Sequence, residues 1–268
     1  MNNRWIGEVF KAEIRKILAY RVDFWVQYLF NILAHIGVAY YLWKSVFSAN
    51  GVTTMQGYSF HGLMLYHLLV PLLGRIIFGS ELGAIGREIY DGSLTRYLIY
   101  PVNYFLYKIM QYLASSVVYS FQMIIAFSLF LLIFGKPDDI TLNSMVLLVV
   151  PTLFMAAMLN FAITTTIELF AFWADNVWSL LVIIRFAVGL LGGGLIPIAF
   201  FPETAQLILN KLPFVYLTAF PADLMMGKMS LVFWGEGMLV LSMWTAIFFA
   251  IALAIWKRGI RQYSGVGI

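Results

Sequence analysis

The chain has 268 residues, of which 62% are hydrophobic and only 11% are charged. Because soluble domains carry about 25% charged residues, this composition indicates an integral membrane protein. The formal net charge of +4 comes from Lys and Arg that we place beside the bilayer, where anionic headgroups attract them, so it gives no indication of nucleic acid binding. The absence of cysteine excludes disulfides, zinc-thiolate sites and thiol catalysis.

The first segment, residues 1–21, has the pattern of an amphipathic helix that lies in the membrane interface. From Trp5 to Leu18, apolar side chains recur on one face at helical spacing, and charged side chains occupy the opposite face. Glu13 falls inside the apolar arc, where we expect it to pair with Lys16 or to reach a neighbouring span. Charged residues interrupt the apolar run that a cleavable signal peptide needs, so we expect this segment to remain on the mature protein.

Six later stretches reach about 20 apolar residues, the length that a helix needs to cross the hydrocarbon core. They cover approximately residues 22–47, 58–80, 104–134, 142–167, 177–199 and 231–256. An even number of spans puts both termini on one side, and the excess of Lys and Arg near the span ends predicts that this side is cytoplasmic. The sequence therefore predicts a single all-α, polytopic transmembrane domain over residues 1–268, with six transmembrane helices.

Residues 81–101 form a mixed-charge connection between the second and third spans. Charged side chains alternate there with Leu82, Ile85 and Ile89 at roughly helical spacing, and Gly92 provides a natural break. The pattern predicts a short helix with one wet face. Such a helix is either an interfacial loop that only links two spans or a docking helix that receives force from a soluble partner.

Residues 192–226 form an extended connection on the outer side. Three glycines at 192–194 loosen the end of the fifth span, and prolines divide the following apolar sequence into pieces too short to cross. We expect re-entrant outer helices here, because irregular backbone at that depth must be buried in protein or line a cavity. The segment is therefore predicted to cap part of the bundle.

Two arginines lie inside predicted spans, Arg75 in the second and Arg185 in the fifth. At about 1.5 Å per residue, each lies roughly 10 Å from the cytoplasmic end of its span. An arginine at that depth costs a few kcal/mol unless it snorkels or pairs. Either both side chains snorkel, or both face an inner vestibule, where they pair with Glu81, Glu168 or Asp175 or attract an anionic ligand.

Motifs for nucleotide binding and catalysis are missing from the sequence. It contains no G-x-x-x-x-G-K-[ST] phosphate loop, no histidine spacing typical of a zinc site and no G-x-S-x-G nucleophile elbow. We therefore expect that the chain is not an enzyme and binds neither a cofactor nor a metal. The first and last three spans share no repeat, which weighs against an inverted-repeat carrier.

Several short sequence motifs resemble those of a known protein family. They are Tyr90-Asp91-Gly92-Ser93-Leu94, Tyr100-Pro101-Val102, Ala171-Phe172-Trp173-Ala174-Asp175-Asn176-Val177-Trp178, Leu195-Ile196-Pro197, Phe201-Pro202-Glu203, Leu212-Pro213-Phe214 and Phe220-Pro221. Together with the amphipathic first helix, the six spans and the proline-broken outer region, they make the chain resemble the permease subunit of ABC type-2 exporters. The resemblance covers nearly the whole chain and does not name a cargo.

The resemblance implies two permease copies, identical or related, in the bacterial cytoplasmic (inner) membrane, with both termini in the cytoplasm. Two ATPase subunits would bind ATP and Mg and would contact residues 81–96, which would form the coupling helix. The coupling residues would be Glu81, Arg87, Glu88, Asp91 and Arg96. Arg75 and Arg185 would then border an inward-facing pathway.

On the same resemblance, residues 192–226 would form a lid over the pathway or a static cap on the dimer. The apolar gate would consist of Leu195, Pro197, Phe200, Phe201, Phe214 and Phe220, which suit a dry plug against water and ions. Two other functions stay open: a non-transporting assembly factor or sensor on the same scaffold, and a carrier or channel that works without ATP.

Overall fold

The computed structural model describes residues 4–19, 21–79, 82–137 and 144–264. Regular structure in these ranges is helical apart from one short antiparallel hairpin of β1 (Thr54–Met55) and β2 (Tyr58–Ser59). The α-helices are α1 (Arg4–Ala19), α2 (Arg21–Asn50), α3 (Phe60–Phe78), α4 (Ala84–Tyr90), α5 (Leu94–Ile99), α6 (Tyr104–Phe134), α7 (Val149–Glu168), α8 (Trp178–Leu191), α9 (Glu203–Leu209), α10 (Ala219–Met225) and α11 (Leu231–Gly259). Short 3-10 turns cover Ser144–Leu148, Leu169–Phe172, Ile198–Phe200 and Val215–Leu217.

Polar side chains fix where three of the long helices begin. Ser59 accepts a hydrogen bond from the Gly62 amide at 3.0 Å and so caps α3. Asn103 accepts from the Leu106 amide at 2.9 Å at the start of α6, and Ser230 caps α11 in the same way. Each cap satisfies an amide in a first helical turn, where no intrahelical carbonyl is available.

Helix α3 lies at the centre of the bundle, and most of its side chains are buried. It packs against α2, α6, α7 and α10, while α11 packs along α7 and α1 lies on α6. Polar bonds also join the helices: Asn160 of α7 donates to the Tyr112 hydroxyl of α6 at 2.9 Å. Trp234 of α11 donates to Thr152 of α7 at 2.9 Å. Such side-chain bonds between helices strengthen packing where no water is present.

Four helices among the described residues are long and apolar enough to cross a membrane. They are α3, α6, α11 and α7 together with the 3-10 turn that extends it to Phe172. Helix α8 is apolar but has 14 residues, so it extends about 21 Å against a hydrocarbon core of about 30 Å. Helix α2 has 30 residues but is less apolar than these four. The fold is thus that of an all-α, multi-pass membrane protein.

The boundaries differ from the predicted spans where local chemistry intervenes. The second span begins at Phe60, after the hairpin, and the fourth becomes α-helical at Val149, so that Pro151 falls in its first turn, where a missing N–H costs nothing. The fifth ends at Leu191, before the glycines. The predicted break at Gly92, where φ is 77°, is confirmed between α4 and α5.

The two ends of the bundle carry different structures. Helices α4 and α5 lie between the end of α3 and the start of α6, and we call this the α4–α5 end. The β-hairpin precedes α3 at the opposite end, where Tyr58 donates to Asp223 of α10 at 2.9 Å. The segment from Gly192 to Met226 therefore lies at the hairpin end.

Helix α1 packs along α6, and its predicted position in the membrane interface stays a prediction. Glu13 is its one buried residue, and its carboxylate lies 3.4 Å from the Lys16 ammonium and accepts from Gln111 of α6 at 3.3 Å. Both expected partners of Glu13 are therefore present.

Candidate functional site

The amino end of α4 is held by a single buried carboxylate, that of Glu168, the last residue of α7. Its oxygens accept from the amides of Gly83 at 3.1 Å, Ile85 at 2.6 Å and Gly86 at 3.1 Å. These amides have no partner within a helix, and the partial positive charge at a helix amino end favours an anion. Glu168 therefore joins α4 directly to a long helix of the bundle.

A close backbone approach completes this attachment. A Cβ atom on Gly86 would lie 2.9 Å from Val177 Cγ2, closer than carbon atoms pack. Glycine at this position allows α4 to lie against Val177, the residue before α8, and against the Glu168 backbone at the carboxyl end of α7. Ile85 and Ile89 of α4 then enter a small buried cluster with Leu94 of α5 and Leu169.

Glu88, a predicted coupling residue, is directed toward the bundle. Its carboxylate accepts from the Tyr104 hydroxyl at 2.6 Å and from the Lys108 ammonium at 2.5 Å. Tyr104 stacks on Trp256 of α11 with ring centroids 5.3 Å apart. The Glu88 carboxylate is thus bound within the chain, and its role in coupling stays a prediction.

The other predicted coupling residues that the structure describes are exposed. Arg87 is exposed on α4, Asp91 is exposed directly after this helix, and Arg96 is exposed on α5. Asp91 accepts from the Ser93 amide at 2.9 Å, and its hydrogen bonds to Ser93 lower the pKa of its carboxyl. Glu81 lies outside the described residues. The exposed arginines and Asp91 therefore belong to one accessible surface.

Exposed apolar side chains extend this surface along α5. They are Tyr90 (52% exposed), Leu98, Ile99 (76% exposed) and Tyr100. Charged groups of both signs thus surround an apolar patch on a rigidly attached pair of short helices. We call Arg87, Tyr90, Asp91, Arg96, Leu98, Ile99 and Tyr100 the α4–α5 surface. Its chemistry suits contact with another protein, because interfaces commonly combine an apolar centre with a polar rim.

Arg75 and Arg185 line the same cavity, which has a volume of about 430 Å³ and lies between α2, α3, α6 and α8. The Arg185 guanidinium lies 5.0 Å from the centre of the Phe78 ring. The Arg75 guanidinium lies 4.8 Å from the centre of the Tyr119 ring and 5.7 Å from that of Tyr28. That this cavity belongs to an inward-facing pathway stays a prediction.

The expected carboxylate partners of these arginines are elsewhere. Glu168 is occupied by the amino end of α4, and Asp175 lines a separate cavity of about 150 Å³ beside Arg87 and Trp178. Within the part of the chain that the structure describes, no carboxylate lies within 4 Å of Arg185. Among the described residues, neither Glu168 nor Asp175 therefore forms an ion pair with Arg185, and Glu81, the third candidate partner, lies outside the described residues.

The predicted gate residues fall into two groups. Phe200 packs against Trp43 with centroids 4.9 Å apart, and Phe220 is buried against Tyr216. Pro197 is buried, and Phe201 and Phe214 are half-buried. In contrast, Leu195 is 47% exposed and borders the arginine cavity. The phenylalanines are thus part of the core of this chain, whereas Leu195 is accessible.

The glycines at 192 and 193, which follow α8, allow close packing. Tyr66 donates to the Gly193 carbonyl at 2.7 Å, and the Ala219 amide donates to the Gly192 carbonyl at 3.0 Å. A Cβ atom on Gly192 would lie 2.6 Å from the Phe214 carbonyl oxygen. The end of α8 is consequently tied to α3 and α10 instead of being loose.

Two residues that hold α4 could be recognised only in part from the sequence. Glu168 carries a negative charge at the carboxyl end of a helix, where the helix dipole disfavours it, and this mismatch was a signal for a partner. Lys108 lies within a predicted span, where a charge usually marks a paired site. Neither signal identifies α4, because the contact forms between segments more than 15 residues apart.

Comparison with known families identifies the class of protein. The model of the ABC-2 family transporter protein matches residues 33–267. The chain therefore belongs to the ABC-2 transporter family, as the resemblance predicted, and is a permease, the membrane component of an ABC transporter and not itself an ATPase. Permeases of this family generally work with ABC ATPase subunits. A comparison with curated proteins gives no match.

Proposed function

We propose that the chain is the permease subunit of an ATP-driven exporter and that the α4–α5 surface docks a cytoplasmic ATPase. The observation that carries the proposal is the attachment of α4 to Glu168 of α7 through three backbone amides. A movement imposed on α4 is transmitted to α7, and α7 packs along α11 and α3. The α4–α5 surface and its anchor thus supply the two parts that a coupling element needs, a contact face and a rigid connection.

The proposed topology has six spans with both termini in the cytoplasm of a bacterium. Helix α2 is long enough to be the first span. The fifth would combine α8 with the packed segment that follows it, since α8 alone is short. The α4–α5 end would face the cytoplasm, because basic residues concentrate beside the predicted inner span ends. Residues 192–226 would then lie in the outer leaflet as re-entrant pieces.

The proposed assembly contains two permease copies and two ATPase subunits. ATP and Mg would bind to the ATPases, and this chain would bind no cofactor. The exposed apolar side chains of α8, including Ile183 and Phe186, would face lipid or the second permease. The pathway would therefore pass Arg75 and Arg185, and the direction of transport would be outward.

Purification with the cognate ATPase tests the proposal. The tagged permease is isolated from its native membrane, and the ATP turnover of the complex is measured in vesicles. We expect an ABC ATPase to copurify and its turnover to depend on the permease. Transport without ATP would favour the carrier or channel, and an ATPase-free complex would favour the assembly or sensor module.

A charge reversal locates the contact. Arg87→Glu combined with Arg96→Glu changes two exposed residues of the α4–α5 surface. It leaves the hydrogen bonds between Glu168 and the α4 amides intact. The matched control reverses the exposed Arg258 and Arg261 at the same end of the bundle. We expect the first variant to lose ATPase binding at least tenfold and the control to retain it. Equal binding by both variants would contradict the assignment of the surface.

A further inference from the structure

We propose that two neighbouring histidines, His35 of α2 and His67 of α3, bind the hydroxyl group of an amphiphilic ligand such as a long-chain alcohol. The hydroxyl oxygen accepts a hydrogen bond from His67 and its hydrogen is donated to His35, while the alkyl chain lies in the arginine cavity. This site goes beyond the proposed function, because it needs neither an ATPase nor transport. Four observations support it.

The first observation is the position of the proton on His67, which a neighbouring tryptophan fixes. The indole N–H of Trp43 donates to His67 Nε2 at 2.8 Å. Because an indole nitrogen can only donate, Nε2 must be the unprotonated nitrogen of a neutral ring, and the proton is on Nδ1. A nitrogen that carries a proton binds an acceptor such as an oxygen. Metal ions and ammonium groups provide no acceptor, so neither fits His67 Nδ1.

The second observation is that one nitrogen of each ring is buried without a partner. Among the described residues, neither His67 Nδ1 nor His35 Nε2 has a hydrogen-bond partner. His67 is 3% exposed, and a buried donor that forms no hydrogen bond is costly. The pair therefore favours a ligand that supplies the missing group.

A hydroxyl group has the chemistry and the reach for both nitrogens. The ring centroids of His35 and His67 are 5.5 Å apart, and an oxygen about 2.8 Å from each of two nitrogens joins atoms up to about 5.6 Å apart. One tautomer of neutral His35 leaves Nε2 as an acceptor. A hydroxyl accepts from His67 Nδ1–H and donates to this nitrogen, whereas an ether or a carbonyl oxygen can only accept.

The third observation is the position of the histidines at one end of the arginine cavity. His35 lines the cavity, and His67 lies one helical turn before Val70 and Pro71, which line it on α3. The lining residues of α2 extend from Gln27 to His35, which is about 12 Å along the helix. The cavity is thus elongated, and the histidines are at its end toward the hairpin.

The fourth observation is the size and lining of the rest of the cavity. Its volume of about 430 Å³ lies within the range of about 300–1,000 Å³ that is typical of small-molecule pockets. Pro71 and Phe78 contribute apolar surface, and Gly189 contributes open space, since a Cβ atom there would meet nothing within 4 Å. An alkyl chain that covers the apolar surface gains hydrophobic stabilisation. Arg75 and Arg185 lie toward the opposite end and take no part in the proposed contacts.

The first test measures the tautomer of His67 by NMR of the full permease, labelled with ¹⁵N-histidine, in nanodiscs of neutral phosphatidylcholine. The chain has three histidines, and the exposed His61 is the internal control. We expect His67 to carry its proton on Nδ1. Trp43→Phe removes the donor that fixes this form, so the variant should show both tautomers of His67. A wild-type His67 with its proton on Nε2 would overturn the proposal.

The second test titrates the same sample with dodecanol, dodecyl methyl ether and dodecane, which share the alkyl chain. The ether accepts but cannot donate, and the alkane does neither. We expect dodecanol to shift the signals of His35 and His67 saturably, to leave His61 unchanged, and to bind at least tenfold more tightly than the ether or the alkane. Equal affinity for dodecanol and the ether would overturn the proposal. Unchanged signals with dodecanol would also overturn it, because water alone would then be the partner of the histidines.

Two variants locate the site, with affinity measured from the His67 signal. His35→Phe removes the acceptor, and Gly189→Leu fills the cavity without changing a polar group. We expect each to weaken dodecanol binding at least tenfold. The matched control Gly235→Leu also adds a side chain where a Cβ atom meets nothing within 4 Å, but on α11, and should leave the affinity unchanged.

The cavity-filling variant also protects the test against loss of fold. If His35→Phe has a lower thermal midpoint than wild type, the comparison of Gly189→Leu with Gly235→Leu decides instead. Wild-type affinity for dodecanol in Gly189→Leu would overturn the placement of the ligand in this cavity. No ATPase is present in these measurements, so their outcome is independent of the proposed function.

Discussion

Single residues decide how firmly α4 is held. Glu168 is 4% exposed and satisfies three amides of the α4 amino end. Hydrogen bonds to a charged group contribute about 1.5–3 kcal/mol each, so this carboxylate contributes strongly to holding the amino end of α4. Glu168 thus supplies, from a helix distant in sequence, the contacts at the amino end of α4.

Glu168→Gln should release α4 without unfolding the bundle. The amide keeps one acceptor oxygen, but its NH₂ group faces backbone donors. We expect hydrogen exchange at residues 85–90 to become at least tenfold faster, while exchange in α3 stays unchanged. Glu8→Gln is the matched control, because Glu8 forms an exposed pair with Lys11 that contributes at most about 1 kcal/mol. Unchanged exchange in α4 of the Glu168 variant would show that its other contacts suffice.

Two glycines of α11 provide a matched pair for the packing of the hairpin end. A Cβ atom on Gly237 would lie 2.2 Å from Phe220, which is buried, whereas a Cβ atom on Gly235 meets nothing within 4 Å. Overpacking costs about 1–3 kcal/mol, and Gly→Ala inside a helix gains about 1 kcal/mol when space is available.

We therefore expect Gly237→Ala to lower the thermal midpoint of the permease in detergent and Gly235→Ala to leave it unchanged or raise it. Thermal unfolding followed by tryptophan fluorescence measures both variants under the same conditions. Equal midpoints for the two variants would mean that Phe220 moves aside at no cost. That result would also indicate that the segment from Gly192 to Met226, which contains Phe220, is mobile instead of tightly packed.

At the scale of elements, helix positions followed closely from the sequence. The periodicity of α1 and the apolar run of α6 predicted their ends to within one residue, because both depend on local pattern. The hairpin before α3 was not predicted, since its strands have two residues each and resemble the apolar sequence that follows. The early end of α8 was partly predicted from the glycines. Their close packing was not, because it depends on partners more than 20 residues away.

The segment from Gly192 to Met226 is predicted to act as a lid only where it is accessible. Phe200, Phe214 and Phe220 contact their own chain, whereas Leu195, which borders the arginine cavity, and Ile196 are exposed. We therefore expect the moving part to be the short stretch at 194–196, while the rest acts as a cap.

Cysteine cross-linking separates the lid from the cap, and the native chain contains no cysteine to interfere. Oxidation of Leu195→Cys should join two permease copies and arrest transport while ATPase assembly is retained. Leu207→Cys, on the exposed side of α9, is the control and should leave transport intact. Full transport by a completely cross-linked Leu195 variant would mean that the region never opens.

At the scale of the whole molecule, the class of protein could be predicted from the sequence, whereas the side-chain contacts that form its candidate sites could not. Composition and apolar length indicated a multi-pass membrane protein, and motif words pointed to the ABC-2 family. The exposure of Arg87 and the inward direction of Glu88 depend on how α4 is rotated against Tyr104 and Lys108. The shared cavity of the two arginines likewise depends on packing between helices. Such contacts require three-dimensional information that helical periodicity does not contain.

Contact between the α4–α5 surface and an ATPase can be measured directly. The direct measurement replaces Tyr90 with photo-reactive benzoylphenylalanine and identifies the adduct by mass spectrometry after irradiation of the purified complex. Tyr90 is 52% exposed on α4, and Phe121, which is 65% exposed on α6, carries the same group as a control. We predict an adduct of permease and ATPase from position 90 and none from position 121. A complex that contains the ATPase but gives no adduct from position 90, or gives one from position 121, would contradict the claim.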